Sequence, residues 1–175
     1  MQIDPQHLET LYHELGRRVH PDRFANSASA VRNASLSATA LLTRAFRTLR
    51  DPVSRGLYWL ELQGEKLATD NKKVPPELAE LIFEVQETLE ELRACADGDA
   101  QGEGLRALIV ERKEALDVSL KDACALLEDN FAKWDSAVSA SPELIVQLKA
   151  ILSRIAYLKT LVRDVDRELD VRDLR

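Results

Sequence analysis

Aromatic residues and glycine are scarce in this sequence. Only 5% of the 175 residues are Phe, Trp or Tyr and there are 6 Gly, whereas 45% are hydrophobic and 31% are charged. A composition rich in aliphatic and charged residues is typical of a helical protein with a leucine-rich core, and it argues against a sheet. The length allows one domain or two small ones.

Cysteine is equally scarce, and long apolar runs are missing. Cys95 and Cys124 are too far apart for a Cys-x-x-Cys pair, and no histidine follows either one at the spacing of a metal site. We interpret them as two buried or half-buried thiols in a reducing compartment. With no run of membrane-spanning length and no signal-peptide pattern, we expect a soluble, cytoplasmic protein. The sequence predicts neither a cofactor nor a metal ion.

The net charge of −6 is unevenly distributed along the chain. Residues 1–70 carry nine Lys and Arg against eight Asp and Glu, a net of +1, and the remainder carries 15 against 22, a net of −7. The acidic second part argues against nucleic acid as a partner. A mildly basic first part beside an acidic second part fits two different protein partners.

The first predicted helix leads to a corner at His20-Pro21-Asp22. Asp4 is a suitable N-cap, Pro5 suits the first helical position, and a single apolar stripe follows, formed by Leu8, Leu11, Tyr12, Leu15 and Val19. Because a proline disfavours the helical conformation in the residue before it, the helix is expected to end at or just before His20. The imidazole and carboxylate then project from a loop, which suits recognition. The open alternative is a plain turn in which Asp22 caps the next helix.

Further helices are predicted on both sides of a polar linker. Residues 25–35 are predicted to form a polar connector. A second helix follows to about Arg50, with Leu36, Leu42, Phe46 and Leu49 facing inward, and a third helix covers Pro52–Leu62. The first two helices would form an antiparallel hairpin with the corner at its tip. After a linker at 65–74, helices are predicted from Pro76 to about Ala96, from Leu105 to about Val138 and from Pro142 to near Leu169, with an exposed connection at 97–104. Three helices joined by short connections predict an antiparallel bundle.

The bundle is predicted to carry a second exposed surface. The helix that begins at Pro76 has a predicted core stripe of Leu78, Leu81, Val85, Leu89 and Leu92. Opposite this stripe lie Phe83, Glu87 and Glu90, which we expect to be exposed, with Ile82 at the border of the exposed residues. On the last helix, Tyr157 points about 130° away from a stripe formed by Leu144, Leu148, Ile151, Ile155, Leu158, Val162 and Leu169. In the open alternative the carboxylates form an ordinary solvated face and Phe83 packs against the first half of the chain.

These residues resemble a known family. A helix with Arg17 and Arg18 near its end, then His20-Pro21-Asp22-Arg23-Phe24, resembles a J-domain, the module that engages DnaK-type chaperones. Ser37-Ala38 and the segment TRAFRTLRDPVSRGLYWLELQG at 43–64 resemble the HscB (Jac) family, which couples such a chaperone to the iron–sulfur scaffold IscU. The resemblance covers nearly the whole chain. It implies an all-α, L-shaped co-chaperone and not an enzyme, with a J-domain at 1–64, a linker at 65–74 and a three-helix scaffold-binding domain at 75–175.

The resemblance also assigns residues to the two partners. The chaperone-binding set would be His20, Pro21, Asp22, Arg17, Arg18 and Arg23, and the scaffold-binding set would be Ile82, Phe83, Glu87, Glu90 and Tyr157. The sequence departs from the family pattern where Val19 replaces an aromatic residue, Gln86 an apolar residue and Ala94 a glutamate. The corner would stimulate ATP hydrolysis by the chaperone while the bundle presents the scaffold as client.

One family element has no counterpart here. J-domains carry a short helix before the one that begins at Asp4, and this chain starts at Met1. We expect a late start site or a truncated form, an exposed patch of Leu and Phe on the hairpin, and a first half of reduced stability.

Three other functions remain open. They are a J-domain protein with a different client, a purely structural helical adaptor in which the corner is only a turn, and a helical metal-dependent enzyme. The enzyme is disfavoured because His7, His13 and His20 have no paired ligand spacing, and neither a nucleophile–base nor a phosphate-loop motif occurs.

Overall fold

Six α-helices account for nearly all of the regular structure in the part of the chain that the structure describes. The computed structural model describes residues 1–67, 76–95, 100–136 and 142–173. Over these ranges the helices are α1 (Pro5–Val19), α2 (Ser29–Arg50), α3 (Pro52–Leu62), α4 (Ala79–Ala94), α5 (Ala100–Ser136) and α6 (Pro142–Asp173), with 3-10 turns at Pro21–Phe24 and Pro76–Leu78. The described chain contains no strand, so the all-α prediction is confirmed. Of the helices described, none is long and apolar enough to cross a membrane.

The chain divides into two compact units, and α5 contributes to both. Unit 1 consists of Met1–Lys66 with Glu128–Ser141, and unit 2 consists of Leu67–Leu127 with Pro142–Arg175. The end of α5 thus groups with the N-terminal helices, whereas the sequence assigned it to the C-terminal domain. The predicted boundaries stay a prediction, and most of the linker, residues 68–74, lies outside the described residues.

Capping side chains and prolines determine where most helices of unit 1 begin. The Asp4 carboxylate accepts the Gln6 and His7 amides at the start of α1, and Pro5 occupies the first helical position. Asp51 caps α3 in the same way through the Ser54 amide, followed by Pro52. In contrast, α2 begins at Ser29, well inside the segment predicted as a connector. Its first turns include Ala30 and Ala34, and alanine is the strongest helix former.

The apolar core of unit 1 lies between α3 and the end of α5. Leu60, Phe131 and Trp134 are buried, and the Trp59 and Trp134 rings meet edge to face with centroids 3.7 Å apart. The Arg55 guanidinium lies 5.0 Å from the centroid of the Phe131 ring. Burial lowers the pKa of Arg55, against the opposing effect of Glu128 and Asp51. Residues far apart in sequence therefore hold this unit together.

The α1–α2 hairpin of unit 1 is thinly packed. Tyr12 and Phe46 stack with centroids 4.2 Å apart, but α1 has no buried residue. Leu36 is 56% exposed, so its predicted inward position is wrong, because Ser35 faces α1 in its place. The expected exposure of leucines is seen at Leu11, Leu15, Leu36 and Leu41, whereas Phe24 and Phe46 are half-buried.

Unit 2 is a three-helix bundle with a continuous apolar core. Its fully buried side chains include Val85, Leu92, Ile109, Leu116, Leu127, Leu148, Leu152, Ile155, Leu158 and Val165. The helix α5 begins at Ala100, so the connection predicted at 97–104 is helical from residue 100 onward. A glutamate at position 103 suits the first turn of a helix.

The buried faces of α4 and α6 differ from the stripes predicted for these two helices from the sequence. Ile82 is buried where Leu81 was expected, and Leu81 is only half-buried. On α6 the buried set gains Leu152, Leu161 and Val165, while Leu144, Val162 and Leu169 are half-buried. The physical reason is that each helix packs against two neighbours, so two adjacent stripes are buried.

Candidate functional site

The His20 corner is a 3-10 turn at the tip of the hairpin. α1 ends at Val19, and His20 has an extended backbone with φ −60° and ψ 130°, as expected for a residue before proline. The Arg23 amide donates to the His20 carbonyl at 3.1 Å and closes the turn. The predicted loop is therefore a short ordered turn on a fixed helix end.

The two polar side chains of the corner contact each other and remain open to solvent. The Asp22 amide donates to His20 Nδ1 at 3.3 Å, and Asp22 Oδ2 lies 3.5 Å from the same nitrogen. Their side chains are 55% and 89% exposed. A neutral imidazole that accepts at Nδ1 carries its proton on Nε2, which leaves that N–H as a donor for a partner.

The sequence left open the alternative that Asp22 only caps the next helix, which is α2. The residue that caps α2 is Ala28, without a side-chain hydrogen bond, and His20 is the residue whose side chain caps the 3-10 turn. Asp22 therefore does not cap the next helix, and its carboxylate is available for recognition.

Three arginines surround the corner. Arg17 and Arg18 are exposed in the last turn of α1, where cations are favoured by the helix dipole. Arg18 Nη1 lies 4.0 Å from Glu14, a distance at which an exposed pair contributes little. Arg23 Nη1 donates to the Arg17 carbonyl at 3.2 Å. The structure thus brings all six residues of the predicted set together, and their role in chaperone binding stays a prediction.

The second predicted surface is only partly as expected. Phe83 is 65% exposed and Glu87 and Glu90 are exposed on the same helix, as the pattern indicates. Neither glutamate forms an ion pair with another described residue. Ile82 is only 2% exposed, so its predicted place at the border of the exposed stripe is wrong; it belongs to the core. The exposed part of this surface on α4 is therefore Phe83, Glu87 and Glu90.

Tyr157 lies on α6, the helix that is joined to α4 by an ion pair. Arg93 on α4 and Glu168 on α6 form a hydrogen-bonded ion pair with a Nε–Oε2 distance of 2.7 Å. Tyr157 is half-buried. Its proposed contact role stays a prediction.

An apolar groove in unit 1 was not predicted as a site. It has a volume of about 580 Å³ and lies along α2 and α3, with Arg44 and Glu61 among its lining residues. Leu41, Leu57 and Tyr58 are its exposed apolar residues, at 61%, 40% and 45%. Leu57 and Tyr58 lie in an apolar run of the third predicted helix, Pro52–Leu62, and that run is the signal that could have indicated the groove.

Metal ligation has no support in the described ranges. No group of three or more His, Cys, Asp or Glu side chains in that part of the chain could hold an ion. Cys95 and Cys124 are free and half-buried.

Comparison with known proteins identifies the family. No family model matches the chain. A curated relative, the co-chaperone protein HscB homolog of Azoarcus sp. (strain BH72), is 35% identical over 123 residues, 70% of this chain and 69% of the relative.

Two solved structures share the fold. Chaperone HscB from Vibrio cholerae matches with a TM-score of 0.67 and 24% identity, over 97% of this chain and 90% of the other. Human co-chaperone protein HscB matches with a TM-score of 0.65 and 24% identity, over 94% and 74%. The relative from Azoarcus, whose family name the two structures of the same fold share, shows that the chain belongs to the HscB family of J-domain co-chaperones, which act in iron–sulfur cluster assembly and are not enzymes.

Proposed function

We propose that this protein stimulates ATP hydrolysis by a DnaK-type chaperone and delivers an IscU-type scaffold protein to it. The observation that carries the proposal is the corner: His20 and Asp22 are exposed side by side on a closed turn, next to Arg17 and Arg18. A rigid turn lowers the ordering cost of binding. We expect this activity in the cytoplasm, where free thiols such as Cys95 stay reduced.

The corner acts by contact and not by chemistry of its own. Two exposed guanidinium groups steer it toward an acidic surface of the chaperone, and the imidazole N–H and the Asp22 carboxylate supply a donor and an acceptor at the contact. The contact stimulates hydrolysis if it binds the hydrolysis-competent conformation of the chaperone more tightly than the resting one. A ligand shifts such an equilibrium only by its difference in affinity for the two conformations.

The scaffold-binding role is proposed for the exposed surface of α4. An exposed aromatic side chain beside two free carboxylates fits a partner with an apolar pocket and a basic rim, because buried aromatic anchors dominate interface energies. With Ile82 in the core, Phe83 is the apolar anchor of this surface. Both surfaces on one chain raise the local concentration of the scaffold at the chaperone.

The chaperone-stimulating role is tested with His20→Gln in single-turnover ATP hydrolysis by a DnaK-type chaperone. We expect at least a tenfold loss of stimulation, because the variant removes a donor and acceptor pair of fixed geometry. His13→Gln is the matched control, since His13 is an exposed histidine of the same unit away from the corner. Full stimulation by folded His20→Gln would favour the structural adaptor.

The scaffold-binding role is tested with Phe83→Ser and titration calorimetry against an IscU-type scaffold. We expect roughly tenfold weaker binding, since loss of an anchoring aromatic side chain costs on the order of 1–2 kcal/mol or more. Val146→Ala is the control, because Val146 is as exposed as Phe83, at 65%, on another helix of unit 2. A wild-type protein that stimulates the chaperone but does not bind the scaffold would favour a different client.

A further inference from the structure

The corner leaves three carbonyl groups of α1 without their ordinary helical partners. In a continuous helix the amides of residues 21, 22 and 23 would donate to the carbonyls of Arg17, Arg18 and Val19. Pro21 has no N–H, the Asp22 amide donates to His20 Nδ1 at 3.3 Å, and the Arg23 amide donates to the His20 carbonyl at 3.1 Å. The three carbonyls therefore need other donors, and those of Arg17 and Val19 find one within the chain.

Side chains supply those donors, and one of them comes from the opposite helix. The Arg23 guanidinium donates a hydrogen bond to the Arg17 carbonyl. The Val19 carbonyl accepts from Ser35 Oγ at 2.6 Å and lies 3.3 Å from Thr39 Oγ1, both on α2. Thr39 Oγ1 is also 2.9 Å from the Ser35 carbonyl in its own helix. Since a hydroxyl has one proton to donate, Ser35 is the principal donor to Val19.

Ser35 is unusual in this hairpin. It is 6% exposed and is the buried residue of α2, at a position where a helix pair normally buries an aliphatic side chain. Its bond crosses from α2 to the last residue of α1, directly before His20. Each apolar contact of the hairpin is at least partly exposed, so this short polar bond is the tightest restraint on the end of α1.

We propose that Ser35 is a positioning residue for the chaperone-stimulating corner, with Thr39 as its support. By holding the Val19 carbonyl it fixes where α1 ends and so the orientation of His20 and Asp22. The inference rests on the proposed stimulation of a DnaK-type chaperone. Loss of the bond lowers the fraction of molecules with the corner in its binding-competent geometry, which raises the apparent dissociation constant and leaves the saturated rate unchanged.

The test is Ser35→Ala in single-turnover ATPase measurements over a range of co-chaperone concentrations. The half-maximal concentration should rise about fivefold, the effect of losing one buried hydrogen bond, and maximal stimulation should stay at the wild-type level. Because alanine favours helix, the variant keeps its fold. Ser35→Thr restores the hydroxyl and should recover most of the affinity.

Thr43→Ala is the matched control. Thr43 Oγ1 donates to the Thr39 carbonyl at 2.9 Å within α2, the same kind of bond without a reach to α1. Its half-maximal concentration should stay within twofold of wild type. A Ser35→Ala value within twofold of wild type, or an equal rise for Thr43→Ala, would overturn the proposal.

A second measurement separates this inference from the proposed function. Hydrogen exchange of the Arg23 amide, which closes the corner, should accelerate several-fold in Ser35→Ala and not in Thr43→Ala, with no chaperone present. If the wild-type protein fails to stimulate the chaperone, the proposed function is wrong, but hydrogen exchange still tests whether Ser35 positions the corner. Unchanged exchange in Ser35→Ala would overturn the positioning role itself.

Discussion

The two units of this chain are packed by different means. In unit 2, three helices contribute apolar side chains with no exposed area, among them Val85, Ile109 and Ile155. In the α1–α2 hairpin of unit 1 the buried residue is a serine, and α1 has none. The recognition corner is therefore supported by polar bonds and partial contacts, whereas the stability of the molecule is concentrated in the bundle.

Unit 1 also depends on a segment that is remote in sequence. Trp59 meets Trp134 edge to face and Arg55 lies over the Phe131 ring, and both of these ring residues belong to the last turns of α5. Without that segment the first three helices would retain mainly half-buried contacts such as Tyr12 on Phe46. We therefore expect unit 1 to unfold more easily than unit 2.

The largest expected effect comes from matched core truncations. Leu158→Ala in unit 2 should lower the free energy of unfolding by about 2–5 kcal/mol, because Leu158 is fully buried. Leu15→Ala in α1, where the side chain is 40% exposed, should lower it by less than about 1 kcal/mol. Urea unfolding followed by circular dichroism measures both. Similar losses for the two variants would contradict the comparison.

The two tryptophans allow the units to be followed separately. Trp59 and Trp134, the two in the sequence, both lie in unit 1 and contact each other. Tryptophan fluorescence should therefore change at a urea concentration about 0.5–1 M below the midpoint seen by circular dichroism, which corresponds to a difference of roughly 1–2 kcal/mol. Coincident midpoints would mean that the two units unfold as one.

A helix cap offers a smaller change that is confined to unit 1. The Asp51 carboxylate accepts from the Ser54 amide at 2.8 Å and from Ser54 Oγ at 2.6 Å. Asp51→Ala should destabilise the fluorescence-detected transition by about 1–2 kcal/mol and leave the later transition in circular dichroism in place. An equal shift of both transitions would show that α3 is coupled to the bundle.

The smallest expected effect is a pH dependence in unit 2. The pKa of Lys113 is raised, first by its hydrogen bond to Asp166 and then by the charges of Asp117 and Asp166. A raised pKa in the folded state stabilises the protein below the unfolded pKa, and this contribution is lost as the pH rises through the folded pKa. Lys113→Met should therefore flatten the decline of the bundle's urea midpoint above about pH 10. Lys121→Met, at an exposed position of the same helix, should leave the slope unchanged.

The sequence predicted the elements whose ends are marked locally. The start of α1 at Asp4-Pro5, its end before Pro21 and the break at Asp51-Pro52 all follow from caps and prolines, which act within a few residues. The early starts of α2 and α5 were missed because alanine-rich or glycine-containing polar segments have no such marker, and packing decides whether they are helical.

The site was predictable only where it depends on one helix or turn. The exposure of the corner and of Phe83 follows from helical periodicity and proline geometry. The burial of Ile82 depends on two neighbouring helices at once, and the bond from Ser35 to Val19 depends on the register between two helices. Neither relation is contained in the periodicity of one segment.

The most direct test of the account is single-turnover ATP hydrolysis by a DnaK-type chaperone with an IscU-type scaffold present. The wild-type protein should stimulate hydrolysis further when the scaffold is added. His20→Gln and Phe83→Ser should each lose that enhancement, and an equimolar mixture of the two variants should not restore it, because the two surfaces must lie on one chain. Full enhancement by the mixture, or by either variant alone, would contradict the account.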